Sequence, residues 1–304
     1  MVEGTIEEVN DRSTTSIRPY AFKNCNKLKQ ANFDNVTTIK DEAFAECTSL
    51  TNFSAPLVTE LGTKTFYNCN LLEEVDFQEV TELNNESVFE NNFVLKSINI
   101  PNLTSIGNYV FRECRSLNRV NFPNLTTIGD NAFTRSGLTE FNFPKLTSIG
   151  VGAFSYTNIT EISLPNFTTI GASAFSYCDE LLIADFPDLT ESNCTVEYCK
   201  KLQSVNMPNV TKINYGEFRA CYKLTSISLP KITTIPGSAF ESSGIVNFDL
   251  PNVTRIYSKG MRYIDAEKIH FPSVTSVEDL AFEADRDLTT VSFSSKVYLY
   301  QYAF

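Results

Sequence analysis

Side chains able to do chemistry are scattered thinly along this chain. Asp76, Asp185 and Asp249 recur on the outward side of short apolar–polar alternations, but dozens of residues separate them. Glu140 and Glu161 lie 21 residues apart at equivalent places of a repeated pattern, so stacking would set one carboxylate over the other. Such a pair can split its pKa values and serve acid–base hydrolysis of a glycosidic bond. A pair of exposed glutamates on an acidic chain is more simply a solvated face. The single histidine, His270, has no evident nucleophile to activate, and no phosphate-loop, calcium-loop or zinc motif is present. No catalytic residue, cofactor or metal ligand is assigned, and a non-enzymatic protein is expected.

The eight cysteines follow a register rather than a ligand spacing. Cys25, Cys47, Cys69, Cys114, Cys178, Cys199 and Cys221 each fall three residues after a recurring anchor, and only Cys194 is off it. There is no C-x-x-C pair for zinc. Runs of three in one column cannot pair completely, and ladder side chains point alike, so structural free thiols are expected. Asn92 replaces cysteine in the same column, which suggests a side chain that also hydrogen-bonds backbone.

The element that positions these columns is a repeat. Phe22, Phe44, Phe66, Phe89, Phe111, Phe133, Phe154, Phe175, Phe218, Phe240, Phe282 and Phe304 mark the anchor, with Val196 and Met261 filling the two gaps, and every step is 21, 22 or 23 residues. Each unit holds an alternating strand ending at proline, as in Leu117, Val120, Phe122 and Pro123. A second segment follows, as in Leu125, Thr126, Thr127, Ile128, Gly129, Ala132 and Phe133. Its glycine suits a turn with positive φ, and its x-x-A-F piece suits a single helical turn. Units this short cannot bury both apolar stripes alone. Stacking neighbours buries them in a continuous core.

The recurring L-x-x-I-x-L-P-x-x-L-T-x-I-G-x-x-A-F-x-x-C resembles the BspA-like, or treponemal-type, leucine-rich repeat over essentially the whole chain. The resemblance implies a right-handed curved leucine-rich repeat solenoid with its parallel sheet on the concave face. The expectation is about fourteen coils in a single domain, 1–304, with a degenerate first coil over 1–22 and a truncated last one. It also implies a cell-surface or secreted setting in host-associated microbes, with adhesion to host proteins attributed to some members. Both termini look cut, so the chain is read as a piece of a longer protein whose signal or anchor lies elsewhere.

Composition narrows the partners. There are 25 Lys and Arg against 36 Asp and Glu, a net charge of −11. That excludes nucleic acid as the expected partner and argues against anionic lipid. No run is apolar enough to insert in a membrane. The expected partner is an extracellular protein, such as a host matrix or surface protein, or a glycan, met by a monomer.

Two faces are candidates. Outward strand positions would form the solenoid floor, with Asn99, Asn121, Asn142, Ser163, Asp185 and Asn206 in one column and Arg119, Glu140 and Glu161 in its neighbour. A second column places Tyr156, Tyr177 and Tyr198 two residues after successive anchors, where tyrosine offers area and a hydroxyl to a partner or simply stacks on its neighbours. A passive stalk and a carbohydrate-binding module are the alternative functions. Thirteen threonines, from Thr15 to Thr275, share one further column, which reads as a hydroxyl ladder that satisfies backbone rather than an ice-binding array. They create sequons such as Asn102–Thr104 and Asn124–Thr126, which the repeat itself explains.

Overall fold

The computed structural model describes residues 5–304. Its strands are short, all pair in parallel, and stack coil on coil, as a leucine-rich repeat solenoid requires. The chain divides into two compact units, Met1–Thr157 and Asn158–Phe304. There are about 13 turns rather than fourteen, since the last segment, Tyr298–Phe304, carries its second strand and anchor without a returning first strand.

In the first unit, Glu8–Asp11, Gln30–Phe33 and Asn52–Ser54 form one sheet, and Glu74–Asp76 pairs with Ser97–Asn99. Register is strict: Val9 lies beside Ala31, and Ala31 beside Phe53. Across the coil, two-residue strands such as Glu82–Leu83, Ser105–Ile106, Thr127–Ile128 and Ser148–Ile149 form a second ladder. In the second unit the first ladder runs through Glu161–Ser163, Ile183–Asp185 and Ser204–Asn206, then Ser226–Ser228 with Asn247–Asp249, then Lys268–Phe271 with Thr290–Phe293. Side chains alternate across each strand, so Val75 and Ile162 are buried while Glu74, Asp76, Glu161 and Ser163 face solvent.

Between the ladders lies a column of stacked rings. Phe66 meets Phe89 at 5.5 Å and 2°, Phe89 meets Phe111 at 5.6 Å and 3°, and Phe133 meets Phe154 at 5.4 Å and 4°. Phe218 and Phe240 repeat this in the second unit at 5.5 Å and 5°. The anchors inside each stack are fully buried, and Val196 and Met261 keep that burial in the two irregular coils. Phe22 and Phe304, near the two ends, are partly or largely exposed.

The expected helical turn is absent among the described residues. Instead the residues two before and two after each anchor take left-handed backbone: Asn131 (φ 53°) and Arg135 (φ 56°) flank Phe133, and Tyr109 (φ 59°) and Glu113 (φ 62°) flank Phe111. This alternation sends successive N–H groups in two directions. Asn131, Phe133 and Arg135 donate to Val151, Ala153 and Ser155 of the next coil, while Thr134 and Ser136 donate back three residues to Asn131 and Phe133. Left-handed backbone costs a side chain ~1 kcal/mol or more, and the bonds to the next coil offset it. The repeat glycine is needed for a different reason than expected. Gly129 has ordinary φ, but a Cβ there would lie 2.6 Å from the Gly107 carbonyl carbon of the preceding coil. Close approach of coils selects the glycine, not positive φ.

Two polar columns complete the stack. Thr104 and Thr126 donate their hydroxyls at 2.9 Å to the carbonyls of Thr81 and Thr104, which also accept the threonine N–H. The threonine column is therefore a backbone-satisfying ladder. The thiols behave likewise: Cys47, Cys114 and Cys221 donate to the carbonyls of Phe22, Phe89 and Val196. None of the eight cysteines forms a disulfide. Burial pushes the Cys47 thiol up to about 12, and Cys114 and Cys221 rise for the same reason.

Candidate functional site

The outward strand positions are the part of each coil left over from stacking. Ser163, Asp185 and Asn206 come together in the second unit. Asp185 accepts from the Ser163 hydroxyl at 3.2 Å and from the Asn206 amide at 2.7 Å. In the first unit Asn99 donates to Asp76 at 3.1 Å, and Arg119 pairs with Glu140 at 2.7 Å. That ion pair is 76% and 58% exposed, so it contributes little to stability. In the second unit Glu161 stands exposed on Glu161–Ser163. Asn121 and Asn142 are exposed too, but no strand forms at their positions.

Tyr156, Tyr177 and Tyr198 all occupy the left-handed position two residues after the anchor, with φ of 60°, 60° and 57°. Tyr177 and Tyr198 stack at 4.4 Å and 6°. The Arg219 guanidinium covers Tyr198 from 5.4 Å, and Arg135 covers Tyr156 from 4.9 Å. Tyr198 thus lies between a ring and a cation, and presents an edge and a hydroxyl rather than an open face.

Several charged residues that support these columns were not singled out from the sequence. Glu113 accepts from Arg115 at 2.8 Å and from Arg135 at 3.0 Å. Burial pushes its carboxyl up, but the two arginines outweigh burial and hold it below the ordinary value. Glu217 is fully buried in a column otherwise filled by Ala, Val, Thr or Gly. It accepts from the Ser192 hydroxyl at 2.6 Å and the N–H groups of Cys194 and Thr195 at 2.8 and 3.0 Å. Burial is the largest influence on it; these bonds oppose burial, Glu197 adds to it, and the carboxyl is raised to about 7. A lone acidic residue in a column of small ones was the available signal.

Among the described residues no group of three or more His, Cys, Asp or Glu side chains forms a metal site. Among these residues no helix is long and apolar enough to cross a membrane.

The model of the BspA type leucine rich repeat region matches residues 6–102, 85–196 and 192–304. A leucine-rich repeat protein from Bacteroides ovatus superposes with a TM-score of 0.70 at 22% identity, over 94% of this chain and 84% of that one. A leucine rich cell surface protein from Faecalibacterium prausnitzii gives 0.53 at 22% identity, over 96% and 89%. No curated protein matches the chain.

Proposed function

Because the chain belongs to the BspA-type leucine-rich repeat family, whose repeat class generally serves as a protein-interaction module, we propose that it is a non-catalytic recognition module binding an extracellular protein through its strand face. One observation carries this reading. The inward residues and, in most coils, the threonine and the cysteine-column side chain are consumed by stacking, whereas outward strand side chains stand exposed in rows. Asn99, Arg119, Asn121, Glu140, Asn142, Glu161, Ser163, Asp185 and Asn206 are the contact residues of this proposal. Small polar side chains at the spacing of parallel strands, ~4.8 Å, suit a partner that reads several coils at once.

A cell-surface or secreted setting is part of the proposal and accords with the surface location in the name of the Faecalibacterium protein. The module acts as a monomer. A host or neighbouring-cell matrix protein is the target class. A passive stalk is the second reading, favoured by the pairing of face residues with one another at Asp76–Asn99 and Ser163–Asp185–Asn206. Glycan stacking on the tyrosine column is disfavoured, since Tyr198 is covered on both faces.

The test is a binding panel of immobilised extracellular-matrix proteins at physiological salt. Saturable binding to a member supports recognition. Silence across the panel transfers the assignment to the stalk.

A further inference from the structure

We propose that the second unit also carries a neutral-saccharide subsite, in a shallow groove on its strand face. The groove has a volume of about 370 Å³ and is lined by Ser204, Ser226, Ser228, Asn247 and Asp249 over Val205, Ile227 and Phe248.

The groove sits on a seam. Ser204–Asn206 is hydrogen-bonded to Ile183–Asp185, and Ser226–Ser228 to Asn247–Asp249, but no backbone ladder joins these two groups of strands among the described residues. Some polar side chains elsewhere on this face satisfy one another, as at Ser163–Asp185–Asn206 and His270–Ser292. At the seam the Ser204 and Ser226 hydroxyls and the Asn247 amide have no side-chain hydrogen bond to another described residue. Only Ser228 and Asp249 are engaged, the Ser228 hydroxyl donating to Asp249 at 2.6 Å. Beneath them Val205 and Phe248 are half-buried rather than sealed.

The lining decides the ligand class. It holds no lysine or arginine, so a phosphate, sulfate or carboxylate ligand would meet Asp249 with nothing to neutralise it. Hydroxyl, amide and carboxylate groups around a small apolar floor match a ligand with hydroxyls at its rim and C–H groups on its face. The volume lies near the lower end of small-molecule sites, ~300–1,000 Å³, room for one or two sugar rings. An extended peptide fits poorly, because adding a strand needs an edge that can open. The two coils flanking the seam are fastened on their other side, where the Tyr198 N–H donates to the Arg219 carbonyl at 2.7 Å.

The test is titration of the whole chain with uncharged mono- and disaccharides of glucose, galactose, mannose and N-acetylglucosamine, followed by NMR and calorimetry. At least one should bind saturably with Kd on the order of 1 mM. Asn247→Ala and Ser226→Val should each weaken it by roughly tenfold, about the worth of one lost hydrogen bond, while Glu79→Ala in the first unit leaves it unchanged. All three side chains are exposed, and far-UV circular dichroism verifies folding. Absence of saturation by every sugar, binding indifferent to the groove variants, or occupation by an extended uncharged peptide instead would each overturn the assignment.

Discussion

The Cys69 thiol donates to the Phe44 carbonyl at 3.1 Å, reaching back 25 residues into the preceding coil. Where the column holds Asn92, its amide reaches both the Phe66 carbonyl at 2.9 Å and the Phe89 carbonyl at 2.7 Å. The column therefore supplies a further donor to the anchor carbonyls of the preceding coil, and cysteine is its smallest apolar form. Native protein should leave the buried thiols unreactive toward a thiol reagent. In denaturant without reductant, seven or eight should titrate; two or fewer would mean disulfides.

Asn92→Ala removes the side-chain donor from the Phe66 carbonyl, while the Phe89 carbonyl keeps the Cys114 thiol. The loss of stability should be about 1–3 kcal/mol by denaturant titration, the cost of one orphaned buried carbonyl. Asn92→Cys should recover part of it, because cysteine fills this place in other coils.

Phe133 is fully buried between Phe111 at 5.2 Å and Phe154 at 5.4 Å. Phe133→Ala should cost ~3–5 kcal/mol by chemical denaturation, for lost burial and the cavity left behind. A cost below about 1 kcal/mol would contradict the ring column.

Glu217 makes stability depend on pH with a definite sign. Its folded carboxyl, raised to about 7, holds a proton that the unfolded chain releases near 4.5. Its contribution is therefore fully present below pH 4.5 and falls as pH rises toward 7. The expected loss is roughly 3 kcal/mol. Glu217→Gln cannot titrate, so its advantage over the wild type should grow across that window and level off above it. Parallel stability curves for the two proteins would show that Glu217 is already charged at pH 5.

Much of this fold was legible because its stabilising groups recur in register. The anchor spacing announced the repeating phenylalanine position, the threonines announced the backbone ladder, and Asn92 among cysteines announced a hydrogen-bonding column. The left-handed positions beside each anchor were hidden. They are filled by Tyr109, Glu113, Asn131 and Arg135 rather than glycine, since bonds to the next coil stabilise them and leave no local residue signature. Gly129 was read correctly as special but for the wrong cause, because coil-to-coil approach cannot be seen in one repeat. The strand face was legible as rows of side chains. The Arg119–Glu140 pair, the covered rings of the tyrosine column and the seam beside Ser226 required the stack itself.

The central claim is that the strand face recognises a protein, and a charge reversal on that face tests it most directly. Asp185→Lys introduces a cation where Ser163 and Asn206 converge. Lys96→Glu, at an exposed ion pair with Glu73 beside the strand, serves as the control. Measured against the matrix protein that binds best, Asp185→Lys should weaken affinity at least roughly tenfold, about 1.4 kcal/mol, with the control near wild type. Equal affinity for all three proteins would place recognition elsewhere and contradict the account.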